Sequence, residues 1–182
     1  MTDLNKTIKE YLKEEKRLNF QNTSYLHLLK MCLTNNPVWT RWKFIKYMRK
    51  SQFSKGLTKL FYERKKNNIG NRIGFEIKGD NIGPGLVLYH NGPIVINGNA
   101  IIGKNVKFHG DNCIGNNGTD EKYPVIGDNV DIGVGAKIIG NVHIANNVRV
   151  GAGAVVVKDC LEENATLVGV PAKIINKGEK NE

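Results

Sequence analysis

Two patterns of hydrophobic positions divide the chain. In the first part, apolar residues recur at helical spacing, as they do from Tyr25 to Cys32. From Ile82 onward they recur every six residues, a period that suits neither an amphipathic helix nor a half-buried strand. The sequence therefore predicts two domains, a helical one at 1–72 and a β-rich one at 73–182.

The helical pattern predicts four helices with short breaks between them. The first is expected to run from the Thr2-Asp3 cap to about Lys16. The others are expected between Ser24 and the Asn35-Asn36-Pro37 break, from Val38 to about Lys50, and from Leu57 to Lys66 after Gly56. Glycines at 70, 74 and 79 are expected to mark the change of architecture.

The six-residue repeat predicts a three-sided parallel coil. Its first positions are Ile96, Ile102, Phe108, Ile114, Ile126, Ile132, Ile138, Ile144, Val150 and Val156. Each unit supplies one short strand and one corner, with the large apolar residue pointing inward and small residues at the tight corners. At about three units per coil, the roughly twelve units predict about four coils stacked at strand spacing. The helical part is expected to cap one end of this stack, and a closing segment from Leu167 to Ile175 the other.

Charge is unevenly distributed between the two parts. Residues 1–72 contain 17 Lys and Arg against 5 Asp and Glu, and residues 73–182 contain 10 against 12, which gives +12 and −2 and the total of +10. A uniform nucleic-acid binder would not confine its excess of basic residues to one part of the chain, so no nucleic-acid partner is expected. With no signal-peptide or membrane-spanning run, the protein is expected in the cytoplasm. The three cysteines form no CxxC pair, so neither a metal site nor a disulfide framework is expected.

Five stretches of the repeat region resemble a known family. They are Gly83–His90, Gly92–Ile96, Ile132–Lys137, Val150–Val156 and the Gly-Val-Pro-Ala-Lys ending within Val168–Ile174. Together they are similar to serine acetyltransferases and their relatives in the hexapeptide-repeat acyltransferase superfamily. The resemblance covers a little over half of the chain and is weaker in the helical part. It implies a mainly β fold, a left-handed parallel β-helix with an N-terminal α-helical domain, which binds acetyl-CoA as co-substrate and forms a homotrimer with active sites between subunits.

The resemblance places the catalytic base at His90, where the repeat shifts by two residues. A neutral histidine is suited to take the proton of an attacking hydroxyl near pH 7. The family orients this histidine with an acidic residue about one coil earlier. Ungapped alignment puts Phe75 there, and a single-residue deletion brings in Glu76, which we take as the orienting carboxylate. The other histidines, including His109, are expected to be surface residues.

The resemblance also implies where acetyl-CoA lies. The positions that match the family's groove for the pantetheine arm are Val134 and Ala152, whose small neighbours allow close approach. Lys173 and Lys177, near the end of the repeats, are candidates for contacts with the CoA phosphates. They can equally belong to a solvated tail. No metal is expected.

The acceptor site departs from the family pattern. Serine acetyltransferases carry an Asp directly before the catalytic histidine and an Asp-Arg-His-Pro run that help to hold serine, whereas this chain has Tyr89 and Glu121-Lys122-Tyr123-Pro124. Tyr89, Asn91 and Tyr123 suit an uncharged hydroxyl compound, and a sugar of capsular or lipopolysaccharide synthesis is the leading hypothesis. Serine is the alternative acceptor. A non-catalytic β-helix subunit is the alternative from another class.

The segment 38–66 interleaves aromatic and basic residues. Such a helix can lie on an anionic membrane surface, which would make the protein membrane-peripheral. The other interpretation is that the aromatic side chains pack inside the protein while the charges stay in water. The sequence leaves both open.

Overall fold

Four helices form the N-terminal part. The protein is represented by a computed structural model that describes the backbone of residues 2–176 and the side chains of residues 7–175. The helices are α1 Thr2–Asn19, α2 Tyr25–Leu33, α3 Pro37–Gln52 and α4 Gly56–Ile73. Ser24 caps α2 by accepting a hydrogen bond from the His27 amide, and Asn36 caps α3 by accepting one from the Val38 amide. These breaks between helices were predicted from the sequence.

Helix α4 continues to Ile73, so the predicted end near Lys66 was wrong. Gly70 lies inside the helix at a point where the chain passes close by. A Cβ at this position would come within 2.5 Å of the Phe75 carbonyl oxygen, so a glycine is needed there. Gly74 ends the helix in the left-handed conformation (φ 85°) and donates its N–H to the Gly70 carbonyl. Gly70 therefore marks a close contact, whereas Gly74 marks the boundary.

The strands of the second part form three sheets. Sheet 1 contains β1 Phe75–Ile77, β3 Ile94–Ile96, β6 Asn112–Gly115, β9 Lys137–Ile139 and β12 Val155–Val156. Sheet 2 contains β4 Ile101–Ile102, β7 Val125–Ile126 and β10 His143–Ile144, and sheet 3 contains β2 Val87–Leu88, β5 Lys107–Phe108, β8 Asp131–Ile132, β11 Arg149–Val150, β13 Thr166–Val168 and β14 Lys173–Asn176. Every pairing is parallel except that of β13 with β14.

The chain visits the three sheets in rotation, which produces a parallel β-helix. Sheet 1 has five strands, so the chain makes five coils rather than the predicted four. The repeat was counted from Ile82, but the first coil already begins at Phe75. At the other end, an isolated bridge between Ile144 and Cys160 supplies the sheet 2 side of a fifth coil.

The side chains that point into the β-helix are those at the apolar positions of the six-residue repeat. All ten large first-position residues are at most 3% exposed, and Phe108, Ile114, Ile132 and Ile138 are fully buried. The fifth-position residues, such as Val130 and Ala136, are buried as well. Burial of each large aliphatic side chain stabilises the fold by about 1.5–3 kcal/mol. The core continues into the helices through Phe44, Ile45 and Met48.

Both ends of the coil are covered. At the first coil, the Arg49 guanidinium donates to the carbonyls of Ile82 and Gly83 (both 2.6 Å), and the Lys66 ammonium donates to that of Ile77 (3.0 Å). At the last coil, β14 folds back antiparallel on β13, as the predicted closing segment requires. The helical part thus covers the first coil, and the hairpin of β13 and β14 closes the last one.

Most of the aromatic side chains of α3 face the protein interior. Trp42 and Phe44 are buried, and Trp39 packs against Phe20. Within α3, Trp42 and Phe44 therefore agree with the interpretation that the rings pack internally, whereas Trp39 and Tyr47 are half-buried. No helix within residues 2–176 is long and apolar enough to span a membrane.

Candidate active site

The candidate site lies along one edge of the coil, where the chain passes from sheet 3 to sheet 1. We call it the His90 edge; it comprises residues 89–93, 109–111, 133–136 and 151–154, together with the turn 169–172 between β13 and β14, which bonds to the chain directly after the last of these. Backbone hydrogen bonds stack its successive turns: Gly135 N–H donates to Gly110 (2.9 Å) and Gly153 N–H donates to Val134 (2.8 Å). The edge is a regular ladder, so residues far apart in sequence come into line.

His90 lies on the first turn of this edge and is exposed. Its turn is held against the end of α4, since Gly92 N–H donates to the Ile73 carbonyl (2.8 Å) and Ile94 N–H to that of Gly74 (3.0 Å). On the side of the next coil, a Cβ added at Gly110 would lie 3.5 Å from the His90 Cβ. The histidine is therefore presented to solvent on a fixed backbone, as a base that meets a diffusing hydroxyl must be.

Asn91 is tied to the helical part. Its amide oxygen accepts a hydrogen bond from the Arg41 guanidinium at 3.0 Å. Arg41 is itself buried, and burial lowers the pKa of its guanidinium. Asn91 thus serves at least partly to hold the turn beside His90. Sequence reasoning missed Arg41, because no local signal links residues fifty positions apart.

Glu76 lies on the outer face of β1, in register with Val95. It is exposed, and among the described residues neither its carboxylate nor the His90 imidazole makes a hydrogen bond or ion pair. The predicted pairing of the two side chains thus stays a prediction. Catalytic hydrogen bonds often tighten only once substrate is bound.

The predicted donor residues lie on the same edge as His90. Val134 is 52% exposed and Ala152 is exposed, one coil apart, and each is followed by a glycine in the left-handed conformation. At about 4.8 Å per coil, Ala152 lies roughly 14 Å along the edge from His90. This row of small residues leaves room for an extended pantetheine arm. Lys173 is exposed at the far end of the row, in β14, whereas Lys177 lies outside the described residues.

Tyr89 forms part of a chain of side-chain contacts. Its ring packs on the His109 ring with centroids 4.5 Å apart, and His109 Nε2 lies 2.8 Å from an Asp131 carboxylate oxygen. The two rings stand on neighbouring coils, next to His90. His109 was expected to be a solvated corner residue, but the structure gives it two partners.

Tyr123 lies on a different edge. Loop 116–124 joins sheet 1 to sheet 2, whereas His90 stands between sheet 3 and sheet 1. The half-buried Tyr123 therefore does not join Tyr89 and Asn91 on the His90 edge of the same chain. Distance along the sequence could not reveal this separation, because each coil turns the chain through all three sides.

Asn112 is a second residue that sequence reasoning missed. Its buried amide accepts a hydrogen bond from Gly110 N–H (2.9 Å) and donates to the Gly133 and Ala136 carbonyls (2.8 and 3.3 Å). It links two successive turns of the His90 edge, directly beside Val134. A polar residue at an inward position of the repeat was the available signal.

Several serine acetyltransferases share sequence with this chain. The protein from Buchnera aphidicola subsp. Schizaphis graminum is 42% identical over 99 residues, which cover 53% of this chain and 38% of that protein. The protein from Staphylococcus aureus is 33% identical over 107 residues, 57% of this chain and 50% of that protein. The chain thus spans half or less of the length of these curated relatives. No protein-family model matches it.

Solved structures extend the likeness across both parts of the chain. Serine acetyltransferase from Brucella abortus superimposes with a TM-score of 0.77 and 26% identity, covering 96% of this chain and 71% of that one. Its complex with coenzyme A gives 0.78 with 25% identity, covering 97% and 71%. The soybean enzyme gives 0.69 with 26% identity, covering 96% and 70%. The repeats and these likenesses place the chain in the hexapeptide-repeat acetyltransferase superfamily.

Proposed function

We propose that this protein is an acetyl-CoA-dependent O-acetyltransferase with His90 as general base. The observation that carries the proposal is the alignment of an exposed histidine with a row of small, exposed residues along one edge of the coil. Val134 and Ala152 continue the line that begins at His90. The similarity to serine acetyltransferases, one of them in complex with coenzyme A, supports the same chemistry.

In the proposed reaction, the acceptor hydroxyl attacks the thioester carbonyl carbon of acetyl-CoA. His90 takes the hydroxyl proton as the new C–O bond forms, and the carbonyl oxygen becomes an oxyanion. When the intermediate collapses, the C–S bond breaks and the CoA sulfur leaves with the proton held by His90. The products are the O-acetyl ester and CoA thiol, and His90 returns to its neutral form.

Glu76 is proposed to orient His90 once substrates are bound. A carboxylate that accepts a hydrogen bond from one ring nitrogen fixes the tautomer that leaves the other nitrogen free as base. The two side chains are exposed near the junction of α4 with the coil, and nothing else in the described chain holds either of them. Closure by substrate or by a neighbouring subunit can therefore bring them together.

Two acceptors have distinct support. The similarity to serine acetyltransferases favours L-serine, which would place the protein in cysteine biosynthesis. The residues at the site favour an uncharged acceptor, because Tyr89 and the Glu-Lys-Tyr-Pro run stand where those enzymes hold serine. A site built to pair charges discriminates strongly against a substrate without them, and the converse also holds. A sugar hydroxyl of surface-polysaccharide synthesis is the second candidate.

The function is tested by His90→Ala in an assay of CoA thiol release. Loss of the general base should lower kcat/KM by about 10²–10⁴-fold. His143→Ala is the matched control, since His143 is an exposed histidine on sheet 2, away from the His90 edge. Release that continues unchanged in His90→Ala would refute the assignment of the base.

The acceptor is decided by running the same assay with L-serine and with a panel of monosaccharides and nucleotide sugars. Efficient release with serine alone would exclude the saccharide hypothesis. Release with a sugar alone would exclude serine. If the wild-type protein releases no thiol with any acceptor and does not bind acetyl-CoA in calorimetry, the enzyme proposal fails and the non-catalytic alternative replaces it.

A further inference from the structure

The column of side chains beside His90 has an unusual composition. Tyr89, His109, Gly133 and Gly151 follow successive strands of sheet 3, and the Tyr89 amide donates to the Phe108 carbonyl (2.9 Å) just as the His109 amide donates to that of Ile132 (3.1 Å). Two aromatic rings are thus stacked on the first two coils, with glycines on the next two. The Tyr89 ring is 40% exposed, so it offers a surface to a ligand at the His90 turn.

The His109 ring is held from two sides. Its face packs on Tyr89 at 4.5 Å between centroids and an interplanar angle of 34°, and its Nε2 lies 2.8 Å from the Asp131 carboxylate. The glycine on the next coil leaves space beside it, so Asp131 is the contact that keeps the ring from turning away. A fixed His109 ring in turn restricts the Tyr89 ring.

We propose that His109 and Asp131 are positioning residues, which hold Tyr89 as a rigid wall of the acceptor site. This inference rests on the proposed function. A fixed aromatic face suits the C–H face of a sugar ring. The Asp131 carboxylate is already engaged with His109, so it is a poor partner for an ammonium group. The wall therefore selects an uncharged, sugar-like acceptor over an amino acid.

A merely structural role makes a different prediction. The side chains of His109 and Asp131 are 36% and 34% exposed, and ion pairs so accessible to water contribute little to stability. If the pair only decorated the surface, its removal would leave the kinetic constants unchanged. If it positions Tyr89, its removal should affect acceptor binding and leave donor binding alone.

The experiment compares Tyr89→Ala, His109→Ala, Asp131→Asn and the double variant Tyr89→Ala/His109→Ala. We expect the KM for the best sugar acceptor to rise about tenfold in His109→Ala and severalfold in Asp131→Asn, while the KM for acetyl-CoA stays within about twofold of wild type. In the Tyr89→Ala background, the further loss of His109 should have no effect, because His109 acts through Tyr89. His109→Phe keeps the ring but loses its contact with Asp131, so the KM for the acceptor should rise severalfold, as in Asp131→Asn, and by less than in His109→Ala.

The matched control is His143→Ala. His143 also stands beside an aspartate on the surface of the β-helix, with its Nδ1 3.8 Å from an Asp159 carboxylate oxygen. It should leave both KM values unchanged. Three results would each overturn the inference: an unchanged acceptor KM in His109→Ala, equal increases for donor and acceptor, or full additivity in the double variant. An amino acid as the preferred acceptor of the wild type would also overturn it. All of these results are obtained with an active wild type. If the proposed function itself fails, no acceptor supports turnover, and this inference fails with it.

Discussion

At the scale of single residues, Arg49 joins the helices to the coil. It is fully buried, pairs with the equally buried Glu15 (2.6 Å), and donates to two backbone carbonyls of the first coil. Burial raises the pKa of the Glu15 carboxyl, and the Arg49 guanidinium acts in the opposite direction. A buried pair like this adds little net stability, but the loss of one partner is costly because the other charge is left in the interior.

We therefore predict that Arg49→Met lowers the free energy of unfolding by about 3–5 kcal/mol. The substitution removes the partner of Glu15 and exposes two carbonyl groups to an apolar environment. Urea unfolding followed by the fluorescence of Trp39 and Trp42 measures the change. Lys46→Met, at an exposed position of the same helix, should change stability by less than about 0.5 kcal/mol. A loss below about 1 kcal/mol in Arg49→Met would contradict the role assigned to this residue.

At the scale of elements, the coil turns from sheet 2 to sheet 3 on a column of left-handed residues. The positive φ angles are those of Gly85 (84°), Asn105 (56°), Asn129 (59°), Asn147 (60°) and Asn164 (61°). Asn105 donates its side-chain amide to Asn129, and Asn129 donates to Asn147, each at 3.0 Å. Asparagine tolerates this backbone conformation better than other residues with a side chain, and here it adds hydrogen bonds between coils.

Substitutions at Asn129 should separate these two contributions. Asn129→Ala loses both hydrogen bonds and forces a Cβ residue into the left-handed region, so it should cost about 2–3 kcal/mol of unfolding free energy. Asn129→Gly loses only the hydrogen bonds and should cost about 1–2 kcal/mol. Denaturant unfolding measures the free energy of unfolding of both variants. Asn99→Ala, a substitution at another corner of the β-helix, serves as a nearly neutral control. Equal costs for alanine and glycine would show that backbone conformation plays no part.

At the scale of the whole molecule, the predicted site residues lie on two edges of the coil. His90, Val134 and Ala152 share one edge, whereas Tyr123 belongs to loop 116–124 on another. We propose that coils pack side by side in a homotrimer, so that this loop of one subunit reaches the His90 edge of its neighbour. A head-to-tail contact closed by threefold rotation repeats the same shared site three times.

Mixing two weakly active variants tests this arrangement. His90→Ala and Tyr123→Ala should each be weakly active, whereas refolding them together in equal amounts should restore about a quarter of the wild-type sites, because one interface in four then combines both intact residues. Thiol release gives the activity, and light scattering should give three times the chain mass of 20.3 kDa. A mixture no more active than its components would place both residues in one subunit or remove Tyr123 from the site.

The sequence was sufficient for the regular features of the fold. The buried first positions of the repeat, the helix breaks at Ser24 and Asn36, and the closing segment after Leu167 were all predicted, because each depends on neighbours within a few residues. The number of coils and the end of α4 were not. Gly70 illustrates the reason: locally it signals a break, but in the fold it allows Phe75 to pass close to the helix.

The sequence by itself determined the coil, since a six-residue period buries its apolar residues in a three-sided β coil, and its resemblance to serine acetyltransferases predicted His90 as the candidate base. Only the tertiary structure decided which side chains surround that base. Arg41 reaches Asn91 from helix α3, and His109 contacts Tyr89 from the next coil, where Asp131 holds it. Tyr123, in contrast, lies on a different edge. Such contacts depend on how helices and coils stack in space, and local spacing along the chain carries no record of that stacking.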